Sequence, residues 1–417
     1  MDIVESLIIL LRCMQFSALS QWRIERKTGK RYLSRLLESY AICTLIVSLA
    51  ILLFGIFNDK DFFRKSENDV GQTVDYIQLI GIRVAHIVTI VEAFLRRHGQ
   101  NSFIRQVREM DRIFECSLNV DVDNRSFRKK IFRRGIVMIL IYAGTGALKL
   151  LTHFFTNDKN FSIYWVFYLL PLCICGVRYF QIFSAIMIVS HRLDKLVTAM
   201  NELNLLHSKP KADSTDSSII NVKSISQALS VYETSEYLKH KYDMENPDMK
   251  RLLIIRDLYN RLWELTATIN SDFGISILTN VGNDFISITS NCYWIFLNFK
   301  SYAATLENFL QIASSFIWSM PHLFNVLMLA LLCERTVQRT TAIALGLHRI
   351  ETNISNDNHN TVIEQFSLQL LHQKLAFSAA GFFDINCSLL YTIAGATTTY
   401  LIILIQFHMS EDKLTGN

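Results

Sequence analysis

The sequence predicts an all-α membrane protein with seven transmembrane helices, a cytosolic N-terminus, an extracellular C-terminus and a cytosolic layer of anchor helices. Half of the 417 residues are hydrophobic, and they come in long blocks instead of alternating with polar residues. Seven blocks are long enough, or nearly so, to cross about 30 Å of hydrocarbon. They cover residues 40–57, 76–95, 136–155, 163–189, 275–297, 309–332 and 389–407.

The segment before the first block contains a short apolar run over residues 7–11. Acidic residues precede this run and Arg12 closes it, whereas a signal peptide has a basic start and a longer apolar centre. We therefore predict an amphipathic helix, cytosolic or interfacial, at the start of the chain. The fifth block is the weakest of the seven, because Asn280, Asn283, Asp284 and Asn291 interrupt it.

The distribution of basic residues predicts the orientation of these spans. Most of the 42 Lys and Arg residues lie in the N-terminal segment and in the connections after the second, fourth and sixth blocks. Basic residues accumulate on the cytosolic side. The rule is less dependable for the long fourth connection, but the other segments give the same answer. A G-protein-coupled receptor, which begins outside the cell, is therefore disfavoured.

Two amphipathic helices are predicted on the cytosolic side. One follows Pro247, with apolar residues at helical spacing, and continues into the fifth span. The second carries Ile363, Phe366, Leu370 and Phe377. Their apolar faces need partners, which predicts a packed cytosolic layer; helices lying on the inner leaflet are the alternative.

These elements divide the chain into seven predicted segments. They are a cytosolic N-terminal segment (1–39), helices one to four (40–190), a cytosolic linker with anchor helices (191–268), helices five and six (269–332), further anchor helices (333–380), helix seven (381–408) and an extracellular tail (409–417).

Other function classes find little support. No cysteine falls in a predicted outside loop, so no disulfide framework is implied. Clustered Cys and His residues, catalytic nucleophile patterns and phosphate-binding motifs are missing from the sequence. We therefore predict no enzymatic activity, no cofactor and no nucleic-acid partner. A transporter is disfavoured because the two halves of the chain show no similarity to each other.

The last predicted span ends in a distinctive pattern. Thr399 and Tyr400 are followed by five hydrophobic residues and then by Gln406 and Phe407. This ending resembles the signature of the insect gustatory receptors, and the preceding Gly381, Phe382 and Asp384 also resemble that family. Insect odorant receptors, the nearest alternative, share the seven-span plan but lack this ending.

The resemblance implies a cation channel of the plasma membrane of chemosensory neurons. Family members are expected to assemble as tetramers with copies or relatives of themselves, and the seventh helices surround the pore. A small-molecule tastant is expected to bind among the outer halves of helices two to six. Membrane lipid and permeant cations complete the expected partners. Sugars and bitter compounds both remain open as ligands, and the larger part of the family favours a bitter or aversive compound.

The predicted pore residues share one face of the seventh helix. Thr392, Ala396, Thr399, Ile403 and Gln406 recur at spacings of four and three. A stripe of hydroxyl and amide groups suits a wet pore, with Gln406 and Phe407 as the constriction. A hydrogen bond between helices is the alternative role for Gln406, and a bond to its own helix is the alternative for Thr399.

Polar residues also form stripes on the other predicted spans. Because polar groups that face lipid are unfavourable, these stripes should face each other or a cavity. The alternative is that the side chains only satisfy one another, with Asp284 paired to Arg83 or Lys149. The candidate ligand-binding residues are Arg83, His86, Lys149, Trp165, Tyr168, Asp284, Asn291, Trp294, Gln311, Ser315 and Trp318.

Overall fold

The computed structural model describes residues 3–24, 31–57, 69–156, 168–208, 247–300, 306–350 and 357–415. Helices dominate these residues, as predicted. They are α1 (Ile3–Ser6), α2 (Ile8–Phe16), α3 (Arg35–Phe57), α4 (Asp69–Leu95), α5 (Arg97–Ser117), α6 (Asn124–Thr156), α7 (Leu170–Ser208), α8 (Pro247–Lys300), α9 (Leu306–His348), α10 (Asp357–His372) and α11 (Ser388–Thr415).

Within the described residues, six helices are long and apolar enough to cross a membrane: α3, α4, α6, α7, α9 and α11. Helix α8 contains the fifth predicted span, whose polar residues lower its mean hydropathy. Asn280, Asn283, Asp284 and Asn291 are all buried in the protein. They therefore do not meet lipid, and α8 can cross the membrane at the centre of the bundle.

The core of the protein lies among α7, α8 and α9, which pack against one another, with α4 against α7 and α8. One cluster of buried apolar residues runs through these helices and continues into α5 and α10. By contrast, α3 and α6 pack at the edge of the bundle and leave large apolar side chains exposed, among them Ile46, Leu140 and Leu151. Such side chains are expected where a helix faces lipid.

Helix α8 begins at Pro247 and runs without a break to Lys300, so the predicted continuation into the fifth span is confirmed. Its 54 residues would extend about 80 Å at 1.5 Å per residue, far more than the thickness of a bilayer. The half before the span packs against α10 and the segment after it. There the Tyr259 hydroxyl donates to the Gln373 carbonyl oxygen over 2.8 Å. Burial raises the pKa of Tyr259 to about 12.

Helix α10 ends at His372, so the prediction that it includes Phe377 is wrong. Phe377 is nevertheless buried. Its carbonyl oxygen accepts a hydrogen bond from the Ile385 N–H, and Ser378 pairs with Asp384 in an antiparallel bridge. A helical spacing of apolar residues cannot reveal that the chain has already left the helix, because the last residue is buried in either case.

The last helix begins at Ser388, one residue before the predicted block 389–407, and residues 381–387 of the predicted segment 381–408 precede it. Ala380 and Gly381 both have positive φ angles, of 50° and 79°, which turn the chain before the helix. The Asn386 side chain then accepts a hydrogen bond from the Ser388 N–H over 3.0 Å, a common way to start a helix. At the other end α11 continues to Thr415, through most of the predicted tail.

The N-terminal segment adds a feature that the sequence did not predict. After α1 and α2, strands β1 (Trp22–Ile24) and β2 (Arg31–Leu33) form an antiparallel hairpin. The Trp22 indole donates to the Arg97 carbonyl oxygen over 2.6 Å and so attaches the hairpin to α5. Helices α1 and α2 bury Ile3, Leu10 and other apolar side chains against the bundle.

Helix α6 begins with a side-chain cap. The Asp123 carboxylate accepts hydrogen bonds from the N–H groups of Ser126 and Arg125, over 3.1 and 3.0 Å. The bond from Ser126 holds the pKa of Asp123 below its usual value. The ionised cap satisfies amides that have no partner within the helix.

Candidate ligand and pore sites

A chain of buried hydrogen bonds joins α4, α7, α8 and α9 within the bundle. Ser290 donates to Gln78, and Gln78 donates to the Tyr168 hydroxyl, over 2.9 and 3.0 Å. The Tyr168 hydroxyl also lies 3.2 Å from Nε2 of His322 and 3.3 Å from the Ser287 hydroxyl. The side chains of this chain of bonds are almost fully buried. We call this set of hydrogen-bonded side chains the polar network. Its members are Gln78, Tyr168, Tyr179, Asp284, Ser287, Ser290 and His322.

Asp284 stands at one end of the polar network, and its partners differ from those predicted. Its carboxylate accepts a hydrogen bond from the Tyr179 hydroxyl over 2.6 Å and lies 2.7 Å from Nδ1 of His322. The alternative in which Asp284 pairs with Arg83 or Lys149 is therefore not what the structure shows. His322 and Tyr179 can take the place of a longer cation because α7 and α9 both pack directly against α8.

Several other predicted ligand residues lie beside the network. Lys149 donates to Ser314 over 2.9 Å, and its ammonium lies 5.8 Å from the centre of the Trp318 ring. Trp318 in turn packs on Tyr168, with ring centroids 4.8 Å apart. The Trp294 indole donates to Asp75, and the Asn291 amide donates to the Ser287 carbonyl oxygen. The structure thus brings Lys149 and Trp318 beside Tyr168, places Asn291 one turn from Ser287 of the network, and joins Trp294 to α4 through Asp75.

Two predicted ligand residues, Gln311 and Ser315, do not join this group. Gln311 is exposed on α9. Ser315 is only half-buried, and its neighbour Ser314 makes the contact with Lys149. A shift of one residue turns a helix by 100°, which exceeds the precision of a spacing argument. Trp165 lies outside the described residues.

Arg83 and His86 occupy the buried face of α4, exposed by only 2% and 1%. Neither ring nitrogen of His86 has a hydrogen-bond partner among the residues that the structure describes. Buried polar groups are nearly always hydrogen-bonded, by protein or by another molecule. His86 is therefore the predicted ligand residue with the most evident unused capacity to bind.

The polar stripe of α11 lies on an exposed face of the helix. The opposite side packs on α8, through the Thr289–Thr397 hydroxyl pair at 3.4 Å and the Phe285–Tyr400 ring contact at 5.8 Å. In the single chain almost none of the apolar part of α11 is buried. Among the predicted pore residues, Thr399, Ile403, Gln406 and Phe407 are all exposed.

Thr399 also makes the bond to its own helix that was considered as its alternative role. Its hydroxyl donates to the Gly395 carbonyl oxygen over 3.0 Å. This bond leaves the hydroxyl oxygen able to accept a further hydrogen bond. Both roles of Thr399 are therefore compatible.

A second buried polar cluster, which the sequence reasoning missed, joins Glu92 of α4 and Arg178 of α7. The two side chains form an ion pair at 2.7 Å and are exposed by 5% and 1%. Both also bind α8 at residues 272–276. A single charge within an apolar span is the signal that could have revealed each of them.

The fold and these buried networks define a class: a multi-pass, all-α membrane protein with a polar centre to its bundle. Comparison with known proteins specifies the family. The model of the 7tm chemosensory receptor family matches residues 7–411. Gustatory receptor 2a of Drosophila melanogaster is 40% identical over 99% of this chain and 98% of its own length. The chain belongs to the insect gustatory and chemosensory receptor family.

Other relatives are more distant. Gustatory and pheromone receptor 32a of Drosophila melanogaster is 31% identical over 39% of this chain and 34% of its own. Among solved structures, the insect olfactory receptor OR5 from Machilis hrabei matches with a TM-score of 0.63 and 13% identity, covering 97% of this chain and 98% of that one. The same receptor in complex with eugenol matches with a TM-score of 0.62.

These findings confirm the predicted membership of the gustatory receptor family and the seven-span all-α fold, and the relatives are chemosensory receptors, as predicted for a protein that is not an enzyme. They support a multi-pass membrane receptor.

Proposed function

We propose that the protein is a tastant-gated, non-selective cation channel of the sensory neuron plasma membrane, assembled as a tetramer with its own copies or with related subunits. The ligand binds among the outer halves of the second to sixth spans, and α11 lines the pore. The N-terminus lies in the cytosol and the C-terminus outside.

The observation that carries this proposal is the exposure of α11. A helix that only faced lipid would need no polar stripe. Helix α11, however, exposes Thr399 and Gln406 on one stripe, while its other side packs on α8. Polar groups that face hydrocarbon are unfavourable, so this stripe is better suited to water and ions. One chain supplies only one wall of such a pore, which is why the proposal requires several subunits.

The polar network supports the position of the ligand site. In the proposed orientation the polar network lies near mid-membrane, and Lys149, Trp294 and Trp318 lie on its outer side. Aromatic rings with a few amides and hydroxyls suit a small amphipathic compound. Eugenol, which the Machilis receptor binds, belongs to this chemical class. His86 adds an imidazole with no partner among the described residues.

The proposal predicts that the current needs no soluble messenger. The protein is expressed in cultured cells, alone and together with a related gustatory receptor subunit, and membrane patches are excised into solution without nucleotides. We expect compounds from a tastant panel to open cation-conducting channels in these patches, because the pore and the ligand site lie in the same assembly.

A current that disappears on excision and returns only with GTP would contradict the proposal and favour G-protein signalling. Patches from untransfected cells provide the control. Surface labelling must show that the chain reaches the membrane, and a surface-expressed chain that gives no current in either combination also contradicts the proposal.

A further inference from the structure

We propose that Glu92 and Arg178 form a clamp that holds α8 at a fixed point. Helix α8 turns about this point and so passes a movement at the polar network to the segment before α11. We call residues 373–387, which connect α10 to α11, the strap. The inference rests on the proposed function, because it concerns how the ligand site acts on the pore helix.

Glu92 binds the backbone of α8 directly. Its Oε1 accepts a hydrogen bond from the Ile275 N–H over 2.9 Å, and its Oε2 accepts from the Ser276 N–H over 3.1 Å and from the Ser276 hydroxyl. Amides within a helix ordinarily donate to the carbonyl four residues earlier. Here two amides also donate to Glu92, so the clamp holds the backbone of α8 itself at Ile275 and Ser276.

Arg178 completes the clamp from α7. Its guanidinium donates to the Asp272 carbonyl oxygen over 3.0 Å and to the Ser276 hydroxyl over 3.1 Å, in addition to its ion pair with Glu92. The same group lies 4.4 Å from the centre of the Phe273 ring. A buried charge is tolerated only while it is paired. The pair therefore holds α4, α7 and α8 together at one level.

The strap is attached to α8 beside the clamp. The Asn270 amide donates to the Ala376 carbonyl oxygen over 2.8 Å and accepts from the Ser378 N–H over 3.1 Å. One turn further, a Cβ atom added at Gly274 would lie only 2.9 Å from the Ala380 nitrogen. Gly274 thus permits backbone contact between α8 and the strap, and the strap leads to α11 at Ser388.

On the other side of the clamp, α8 continues to the polar network at Asp284. Asp284 follows Ser276 by eight residues, which is about 12 Å along a helix. A rigid helix held at residues 272–276 converts a displacement at Asp284 into a displacement of the strap. Coupling between two sites requires such an element with more than one arrangement. The clamp supplies the fixed point of that element.

Hydrogen–deuterium exchange of the full-length protein in lipid nanodiscs tests the clamp without a ligand. Glu92→Gln keeps the shape of the side chain but removes its charge. We expect exchange to become about tenfold faster in peptides covering residues 270–280 and also in the strap, because charge-assisted hydrogen bonds are lost.

The matched control is Asp111→Asn. It breaks the other buried ion pair of α7, in which Arg192 and Asp111 lie 2.8 Å apart, and α5 rather than α8 supplies the acid. This variant should leave exchange in the strap unchanged. If Glu92→Gln accelerates residues 270–280 but not the strap, or if both variants alter the strap equally, the clamp is only a local structural contact and the inference is overturned.

A glycine pair tests the same coupling should Glu92→Gln fail to fold. Gly274→Ala pushes a methyl group against Ala380, whereas the equivalent Cβ at Gly282, also on α8, meets nothing within 4 Å. We expect altered strap exchange in Gly274→Ala only. Equal strap exchange in the two alanine variants would overturn the inference.

Single-channel recording separates this inference from the proposed function. Where the wild-type protein conducts, Glu92→Gln should change the open probability about tenfold and leave the unit conductance unaltered. An unaltered open probability overturns the clamp. A wild-type protein that never conducts contradicts the proposed function, while the exchange measurement still decides whether the clamp couples α8 to the strap.

Discussion

Individual charged residues inside the bundle are the most informative features of this receptor. Asp284, Glu92 and Arg178 are each buried in the bundle, where an unpaired charge is strongly unfavourable. Each has partners on two neighbouring helices. These side chains therefore fix the relative positions of helices that apolar packing alone would leave free to slide.

Replacement of Asp284 tests whether the polar network is needed for folding. Asp284→Ala leaves the Tyr179 hydroxyl and the His322 imidazole buried without an acceptor, at a cost of about 1–3 kcal/mol for each group. We expect reduced surface delivery and a lower Tm of the solubilised protein, measured by surface biotinylation and thermal unfolding.

The control for this change is Asp257→Ala, also on α8. Asp257 pairs with Arg261 one turn away on a partly exposed surface, and such pairs contribute only about 0.3–0.5 kcal/mol. Surface levels of Asp284→Ala equal to those of Asp257→Ala would show that the carboxylate is dispensable for packing. A shifted tastant response with normal surface levels would then assign it to ligand binding.

At the scale of single helices, α8 and α11 show opposite relations between composition and burial. Helix α8 carries many polar residues and lies in the centre of the bundle, whereas α11 is apolar and lies largely exposed. Helix α8 can carry polar residues because protein surrounds it. Helix α11 can expose apolar residues because lipid and neighbouring subunits are expected to cover it. The mean hydropathy of a span therefore does not indicate how deeply that span is buried in the bundle.

The positions of the spans could be predicted from the sequence because each apolar block must match the thickness of a bilayer. Helix α8 from Pro247 onwards could also be predicted, since its apolar spacing is regular. The end of α10 and the conformation of the strap could not, because they depend on the strap folding back onto α8 at Asn270 and Gly274. Such contacts link residues more than a hundred positions apart.

The candidate site was predicted only in part for a similar reason. Periodicity identified which faces of each helix are polar, and the structure brings Asp284, Tyr168 and Trp318 together as those faces suggested. Periodicity cannot say which partner each group selects. The sequence therefore did not reveal that Asp284 pairs with Tyr179 and His322 and not with Arg83 or Lys149.

At the scale of the whole molecule, the proposed orientation predicts where the two ends of the chain lie. Epitope tags at Met1 and Asn417 should stain on opposite sides of the membrane, the first only after permeabilisation. The reason is the concentration of basic residues in the N-terminal segment and the predicted cytosolic connections. Tags on the same side would contradict an odd number of spans, and reversed staining would favour a G-protein-coupled topology.

The assembled channel would repeat each residue of α11 once per subunit around the pore. Four Gln406 side chains and four Phe407 rings would then lie near the outer mouth, so one substitution changes the whole ring. Leu404 offers a matched control because it is half-buried and lies about 160° around the helix from Gln406, on the side that packs against α8.

The most direct test of the proposed channel is the single-channel conductance and relative cation permeability of Gln406→Ala and Leu404→Ala. We predict that Gln406→Ala changes at least one of these quantities, because it removes polar groups from the ion path. Leu404→Ala should alter expression more than permeation. A well-expressed Gln406→Ala channel that keeps both quantities at their wild-type values would contradict the assignment of α11 as the pore helix.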